Sequence, residues 1–406
     1  MIAVVVVATS CGSTSTAIHR SPASPTSSPT QDAITPSPAA PCSTPAAKGS
    51  ALIAVLEAKG AGTGGSGLFG SHDTLAITDR NAVAHARATF QPRQKPYIGN
   101  AATILGPYEA YVVGGTVYFI DGRGTVRSMG SDGKQRTVTS FPIGQDQQEV
   151  SFAVSPDACH LAATVMTAPP KGPPPSGEPF PTLNGTWKVE TMIASAGQTA
   201  QVLHTWTSPS YPGQPTPGSF ANVVVVGWDS VGPIVVVGSA LGTQNSTFLL
   251  NPSFFGGSLA HLGADGMPGA PIPLPGCTDA LQVWPGGAIT CSAKGSSDTS
   301  IKVSVIGSTG GVLVAPFEAT WPVDVAVGPG GLVAVTGGWR NGSGALIGTL
   351  PPTFHPEGWV DSTTIFGRLG DAYNATGDAA FAHLSGGRAT IEDLRFKGDY
   401  VGVLTS

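Results

Sequence analysis

A glycine-rich segment near the start of the chain has the spacing of a dinucleotide-binding motif. Gly60-Ala61-Gly62-Thr63-Gly64-Gly65 matches G-x-G-x-x-G, follows an apolar run, and is followed by Asp79 19 residues after Gly60. In that motif the pyrophosphate lies at the N-terminus of a crossover helix. Only SGLFGSHD separates Gly65 from the next apolar run at Thr74, which is too short for such a helix. We therefore expect no nucleotide cofactor.

Other catalytic arrangements are also weakly represented. The sequence contains no G-x-S-x-G elbow and no H-x-x-x-H or H-E-x-x-H spacing among its eight histidines. His72 and Asp73 are the only adjacent pair that suggests a metal site, and a solvated loop is the simpler interpretation. Asp371 and Asp378 flank one segment, which is ordinary turn chemistry rather than a glycosidase pair. The sequence predicts no catalytic residue, no cofactor and no metal.

Composition narrows the possible partners. Charged residues make up 11% of the chain, against about 25% in typical globular proteins. The formal net charge is −5. Because no basic field is available to attract phosphates, nucleic-acid binding is not expected.

The N-terminus suggests an exported protein. Ile2 to Ala8 is apolar but much shorter than the roughly 20 residues that a transmembrane helix needs. Ala8-Thr9-Ser10-Cys11 resembles the lipobox of bacterial lipoproteins, in which the cysteine is acylated and begins the mature chain. No Lys or Arg precedes Arg20, which departs from that pattern. An ordinary cleaved signal and a disordered end are the alternatives.

The chain divides into three predicted parts. Residues 1–10 are a lipoprotein-type signal segment, residues 11–48 a disordered tether rich in Ser, Thr and Pro, and residues 49–406 the folded domain. The expected location is extracytoplasmic, anchored to the bacterial cell membrane by a lipid on Cys11. An even number of remaining cysteines permits two disulfides. Cys277 and Cys291 flank one strand and turn and form the favoured pair, and Cys42 with Cys159 is a weaker candidate.

The folded part repeats one pattern, in which a turn rich in Gly, Pro or Asp separates two short apolar runs. Such segments predict antiparallel strand pairs. They occupy residues 109–120, 150–165, 186–206, 222–238, 280–292, 300–317, 323–337 and 358–367. No long segment has helical periodicity. Four-stranded units repeated in this way predict an all-β fold, a β-propeller of seven or alternatively six blades.

One turn carries a family resemblance. Ser155-Pro156-Asp157-Ala158-Cys159-His160-Leu161-Ala162 resembles the S-P-D-G-x-x-L-A turn of TolB-like and WD40-like repeats, with Ala158 where those families usually carry Gly. The resemblance implies propeller blades whose strands run A to D from the axis outward. A β-sandwich and a parallel β-helix are the rival folds.

Loop lengths predict where a ligand would bind. If the strand assignment holds, long B–C connections occupy residues 58–73, 167–185, 293–300, 337–345 and 367–378, and long D–A connections occupy residues 90–103 and 207–220. All of them fall on one face, and loops on a rigid scaffold commonly bind ligands. The ligand-binding candidates on these loops are Phe69, His72, Tyr97, Tyr211, Trp339, Arg340, Tyr373 and Asn374. Packing of loops against blades is the alternative role for each.

The sequence therefore favours a non-enzymatic, monomeric binding or scaffold module for a protein, peptide or glycan at the cell envelope. An exported propeller hydrolase or lyase with catalytic residues from several blades is the alternative, because fold alone does not choose between them. Buried carboxylates or histidines at the mouth of the central channel would favour the enzyme, and an apolar, aromatic face would favour the binding module.

Overall fold

Short strands and tight turns account for nearly all regular structure in the computed structural model. It describes residues 51–57, 72–91, 110–143, 148–167, 186–209, 221–239, 258–297, 300–320, 324–371 and 377–405. Within these ranges there are 28 strands and one 3-10 turn, Pro329–Gly331. All of them belong to one compact unit, Ala39–Ser406.

The described strands form seven antiparallel four-stranded sheets, which are the blades of a propeller. In each blade the inner strand is named first and the outer strand last. Blade 1 contains β28 (Asp399–Leu404), β1 (Leu52–Glu57), β2 (Thr74–Thr78) and β3 (Ala84–Thr89). Blade 2 contains β4 (Ala110–Val113), β5 (Thr116–Ile120), β6 (Thr125–Gly130) and β7 (Gln135–Ser140). Blade 3 contains β8 (Gln148–Val154), β9 (His160–Thr167), β10 (Thr186–Ser195) and β11 (Gln201–Pro209).

The remaining four blades follow in chain order. Blade 4 contains β12 (Ala221–Trp228), β13 (Pro233–Ser239), β14 (Ser258–Leu262) and β15 (Pro268–Pro271). Blade 5 contains β16 (Asp279–Val283), β17 (Ala288–Lys294), β18 (Ser300–Gly307) and β19 (Val312–Thr320). Blade 6 contains β20 (Val325–Val327), β21 (Val333–Val335), β22 (Gly338–Arg340) and β23 (Leu346–Gly348). Blade 7 contains β24 (Phe354–Asp361), β25 (Thr364–Leu369), β26 (Ala379–Ser385) and β27 (Arg388–Asp393).

Blade 1 closes the ring because it combines the two ends of the folded chain. The C-terminal strand β28 is its inner strand and pairs antiparallel with β1, with Ile53 opposite Val403 and Ala54 opposite Gly402. β28 also contacts the inner strands β24 and β4 of the blades on either side. The last strand of the sequence is thus needed to complete the first blade.

Burial decreases from the axis outward, and the sequence pattern follows it. Half of β12 is a run of four valines, Val223 to Val226, all buried between neighbouring blades. Such continuous apolar runs are expected where both faces of a strand are covered. The outer strand β27, by contrast, contains no fully buried residue. The core lies between the faces of adjacent blades, and the buried side chains of Trp228, Trp284 and Trp359 are part of it.

Short aspartate-led turns connect many of the strands. Asp132, Asp157 and Asp265 each accept, through Oδ1, the backbone N–H of the residue two positions later. This bond satisfies a backbone donor in the turn and favours its geometry. Ala158 has φ of 60°, a left-handed conformation in which glycine is normally preferred. The position at which the sequence departs from the S-P-D-G pattern therefore does require that backbone conformation.

Cys277 and Cys291 form the disulfide that the sequence favours, with their Cα atoms 5.9 Å apart. It links the segment before β16 to the second strand of the same blade.

Residues 1–48, with Cys11 and Cys42, lie outside the described residues, so the signal, the tether and the second disulfide remain predictions. The part of the chain that the structure describes contains no helix of the length and hydrophobicity that a bilayer crossing requires.

Deletion of residues 399–406 should abolish cooperative folding, because it removes β28 and exposes the apolar inner edge of β1. Deletion of Thr405 and Ser406 alone leaves β28 complete and should unfold like the full chain. Urea unfolding monitored by tryptophan fluorescence compares the two truncations. An unchanged unfolding midpoint after the longer deletion would show that β28 does not close the ring.

Candidate functional site

The two ends of the propeller differ in the length of their connections. Because neighbouring strands in a blade are antiparallel, A–B and C–D connections emerge at one end, which we call the turn face, and B–C and D–A connections emerge at the other, the loop face. On the turn face the connections are short. They range in length from two residues, at Gly114–Gly115, to five residues, at 155–159. On the loop face the strand ends leave the long connections 58–73, 90–109, 168–185, 210–220 and 240–257.

A group of titratable residues lies where the inner strands begin, at the loop face, and all of them except the exposed Asp324 are largely buried. We call it the axial cluster, and its members come from blades 6, 7 and 1. They are His72, Asp324, His355, Glu357, Arg368 and Asp399.

Arg368 is the centre of the axial cluster. Its Nε donates to Oε1 of Glu357, and its Nη1 lies 3.0 Å from Oδ1 of Asp399. The other oxygen of Asp399 lies 2.6 Å from Nε2 of His72, and the other oxygen of Glu357 accepts the backbone N–H of Tyr400 at 3.0 Å. These bonds join β25 of blade 7 to the closing strand β28 and to the segment that leads into β2.

His355 forms a second branch towards blade 6. Its Nδ1 lies 2.6 Å from Oδ2 of Asp324, which precedes β20, and its Nε2 lies 2.7 Å from the carbonyl oxygen of Asp371. Because both neighbours can act as acceptors, the doubly protonated ring satisfies both. The hydrogen bond to Asp324 accordingly raises the pKa of His355, while burial opposes the increase.

Burial dominates the electrostatics of Glu357. It raises the pKa of the Glu357 carboxyl to about 7, helped by the negative charge of Asp399 and opposed by Arg368. A carboxyl group with such a pKa can exchange a proton near neutrality. Arg368 remains positively charged between the two carboxylates, since both raise its pKa further.

The polar groups of the axial cluster are bonded to one another and to neighbouring backbone groups. Both oxygens of Glu357 and both oxygens of Asp399 have partners, and both ring nitrogens of His355 have partners. This is the arrangement expected of a buried ionic network that holds neighbouring blades in register. Within the described ranges, no group of three or more His, Cys, Asp or Glu is placed to hold a metal ion.

Two predicted binding residues lie elsewhere. The expectation that residues 337–345 form a long B–C loop is wrong, because this glycine-rich segment folds as a tight turn, strand β22 and a second tight turn. Trp339 is 5% exposed and packs over Gly348, where a side chain would collide with its ring. Arg340 donates to the carbonyl of Gly344 and lies 4.6 Å over the ring of Phe317. Both residues stabilise blade 6 and neither lies on a loop-face rim.

His72 is at the loop face but is not a solvated loop residue. It is 2% exposed and engages Asp399, so the solvated-loop interpretation is wrong, and the alternative role of packing against a blade describes its position. The other ligand-binding candidates lie outside the described residues and remain predictions. They are Phe69, Tyr97, Tyr211, Tyr373 and Asn374.

The sequence analysis did not identify Glu357 and Arg368, the centre of the axial cluster, because its predicted strand pair ended one residue short of each. The predicted strand pair 358–367 stops just inside Glu357 and Arg368, and the actual pairing extends from Phe354 opposite Leu369. A Glu and an Arg that flank an otherwise apolar strand pair are a signal of a charge pair. Asp324 and Asp399 come from blades 6 and 1, and no local pattern brings them to Arg368.

The fold defines a class, the seven-bladed β-propeller. Neither a scan against protein-family models nor a search of curated proteins finds a match. Among solved structures the chain is similar to Kuenenia stuttgartiensis hydrazine synthase, with a TM-score of 0.41, 11% identity and coverage of 80% of this chain and 99% of that one. It is similar to BamB from Moraxella catarrhalis, with a TM-score of 0.33, 13% identity and coverage of 76% and 82%. It is also similar to an oligogalacturonate lyase in complex with manganese, with a TM-score of 0.36, 10% identity and coverage of 80% and 70%. At these values the similarities carry no functional argument.

The stability of the protein should fall as the pH rises from about 5 to about 8. A raised pKa means that the folded state holds the Glu357 proton more tightly than the unfolded state, so the stabilisation present below pH 4.5 is lost as the pH passes about 7. The raised pKa of His355 acts in the same direction. At about 1.4 kcal/mol per pH unit, Glu357 contributes a loss of up to about 3 kcal/mol.

Glu357→Gln should flatten this dependence, since a glutamine does not titrate. Urea unfolding midpoints at pH 5 and pH 8 measure the effect. The matched control is Glu318→Gln on the outer strand β19, an exposed position whose carboxylate accepts the backbone N–H of Ser296, and it should keep the pH dependence of the unchanged protein. An equal change in the urea unfolding midpoint between pH 5 and pH 8 for both variants would show that Glu357 is not the titrating group.

Proposed function

We propose that this chain is an exported, membrane-tethered β-propeller that acts as a non-enzymatic binding or scaffold module for a protein, peptide or glycan partner. One observation carries the proposal: the described strand ends that bound the long connections all lie at the loop face, and the strand-to-strand connections described at the turn face are short. A rigid ring whose long connections leave from one end provides a binding surface without moving its core.

The axial cluster supports this proposal through its position beneath the loops. It joins blades 6, 7 and 1 where their inner strands begin, so it fixes the strand ends from which the loop-face connections leave. A ligand that contacts loops of several blades requires those ends to keep constant spacing. Preorganisation of this kind lowers the entropic cost of binding.

The tether is the part of the proposal that rests on sequence alone. A lipid on Cys11 would hold the protein at the membrane, and the Ser, Thr and Pro content of residues 11–48 would provide a spacer between membrane and propeller. The resemblance of the turn Ser155–Cys159 to TolB-like repeats agrees with the same extracytoplasmic setting. We place the partner, accordingly, at the cell envelope.

Chemical cross-linking in membranes of the native host tests the binding function. The tagged protein should recover a reproducible partner after detergent solubilisation, and mass spectrometry of the protein itself should show acylation of Cys11. Tyr211→Ala combined with Tyr373→Ala should reduce recovery at least about tenfold, because aromatic side chains dominate binding surfaces. Trp339 is unsuitable for this test, since its burial makes Trp339→Ala a folding defect.

Lys134→Ala is the matched control, because Lys134 lies in a turn of the opposite face. It should recover the partner as the unchanged protein does. Equal recovery by the loop variant and the control would contradict the proposed face, and recovery of the acylated protein alone would contradict a stable macromolecular partner.

A hydrolase or lyase is the second candidate, and the axial cluster is the observation that favours it. Glu357, with a pKa near 7 beside Arg368, meets the electrostatic requirement for a general acid or base. Its oxygens are already occupied, which places this candidate second. Loss of turnover in Glu357→Gln, with ligand binding retained, would reverse the order.

A further inference from the structure

His355 is a buried side chain that bonds two parts of the loop face at once. Its ring is 4% exposed, its Nδ1 lies 2.6 Å from Oδ2 of Asp324, and its Nε2 lies 2.7 Å from the carbonyl oxygen of Asp371. Asp324 precedes β20 of blade 6, and Asp371 follows β25 of blade 7. The ring therefore connects the start of an inner strand in one blade to the chain that leaves the next blade.

The two contacts require two hydrogens on the ring. A carboxylate and a backbone carbonyl only accept hydrogen bonds, so each ring nitrogen must carry a hydrogen for both bonds to form. Only the charged imidazolium has both hydrogens. A neutral ring keeps one of them, and its other nitrogen then directs a lone pair at an oxygen 2.6 or 2.7 Å away.

The bond to Asp324 is the one that the neutral ring keeps. Hydrogen bonds to an ionised acceptor are roughly twice as strong as those between neutral groups. A hydrogen on Nδ1 also avoids contact between a nitrogen lone pair and a negatively charged oxygen. The hydrogen is therefore lost from Nε2, and the contact with the carbonyl of Asp371 becomes repulsive.

The charged groups around His355 come from the segment before β20, from β24 and β25, from the chain after β25 and from β28. They are Asp324, Glu357, Arg368, Asp371 and Asp399. Arg368 lies opposite His355 in the register of β24 with β25 and opposes its charge. Glu357 and Asp399 both bond Arg368, which offsets that effect. The hydrogen bond to Asp324 outweighs burial and raises the pKa of His355.

Backbone hydrogen bonds next to Asp371 should respond to the loss of this contact. The N–H of Gly370 donates to the carbonyl of Thr353 at 2.9 Å, and the N–H of Gly377 donates to the carbonyl of Leu369 at 2.7 Å. None of these four residues is buried. Because exposed backbone bonds outside a core open locally, they should open more often when the carbonyl of Asp371 is repelled.

We propose that His355 is a pH-sensitive clamp at the loop face. The charged ring fastens the start of β20 and the carbonyl of Asp371 to β24, whereas the neutral ring holds Asp324 alone and releases Asp371. The consequence rests on the proposed function, because the clamp gives the predicted binding face a dependence on pH. Binding should weaken as the pH rises, since a released strand end adds conformational freedom that a ligand must remove.

NMR of the full chain with histidine-selective 15N labelling tests the proton count. Cys11→Ser in each sample prevents acylation, and His355→Gln identifies the signal by its loss. We expect hydrogens on both ring nitrogens of His355 at pH 6 and on Nδ1 alone at pH 9, with a midpoint above the ordinary value of about 6.5. A neutral ring at pH 6, or a neutral ring at pH 9 whose hydrogen is on Nε2, would overturn the clamp.

Hydrogen exchange measured by mass spectrometry tests the release of Asp371. After correction for the intrinsic pH dependence of exchange, protection of the Gly370 and Gly377 amides should fall about tenfold between pH 6 and pH 9. The matched control is His383→Gln, which removes a histidine that bonds only one carboxylate in the described contacts, that of Glu392 at 2.9 Å, and it should keep this fall. Equal protection at both pH values in the unchanged protein would overturn the release.

Asp324→Asn should reverse the behaviour of the neutral ring. An asparagine amide can donate to Nδ1, so the neutral ring can keep its hydrogen on Nε2 and its bond to Asp371. The side chain of Asp324 is 49% exposed, so the variant should fold. Protection of the Gly370 amide should then be the same at pH 6 and pH 9. A fall as large as in the unchanged protein would overturn the role assigned to the Asp324 carboxylate.

Partner recovery at pH 6 and pH 9 separates the clamp from the proposed function. NMR and hydrogen exchange detect the clamp without a partner, so recovery of no partner at either pH would contradict the proposed function alone. Recovery at least about tenfold lower at pH 9, and equal at both pH values in Asp324→Asn, would support pH-dependent binding. Equal recovery by the unchanged protein at both pH values would overturn it.

Discussion

The pairing of β28 with β1 is the constraint on which the rest of the structure depends. Each blade buries its apolar faces only against the blades on both sides, so an open ring would leave two faces exposed to water. The chain solves this by completing its first blade with its last strand. Closure is therefore a contact between the ends of a long chain, and the two blade faces at the gap are not buried until it forms.

The axial cluster lies where the ring closes, and its ion pairs help to select the correct pairing of the blades there. Arg368 in blade 7 bonds Asp399 in the closing strand, and Asp399 bonds His72 in the same blade. Buried ion pairs contribute little net stability, but a wrongly placed partner would leave a charge unpaired, which costs several kcal/mol, roughly 3–5. The cluster thus favours one register of blade 1 against blade 7. The free-energy cost of burying the charged Glu357 carboxylate is reflected in its raised pKa.

The strand pairs were predictable because their signals are local. Residues 222–238 and 280–292 show apolar runs around a turn, and both fold as the inner two strands of a blade. Ala158 was identifiable as a position that requires a left-handed backbone, because the surrounding turn specifies it. The Cys277–Cys291 pair was predictable for the same reason, since its partners lie on adjacent elements.

The expectations from the sequence that were wrong concern glycine-rich segments and residues whose partners lie far away along the chain. Residues 337–345 contain enough glycine to suggest a long loop, and yet β22 forms there because Gly348 makes room for the Trp339 ring. His72 follows a glycine-rich stretch that suggests exposure, and its burial depends on Asp399, more than three hundred residues later. The axial cluster unites three blades, so its geometry follows from closure of the ring and not from any local pattern.

Native-state hydrogen exchange measured by mass spectrometry tests closure most directly. If β28 closes the ring as described, the backbone amides of β1 and β28 exchange only through global unfolding, at the same rate as those of the inner pair β12 and β13. Rapid exchange confined to β1 and β28, while β12 and β13 stay protected, would contradict closure by the C-terminal strand.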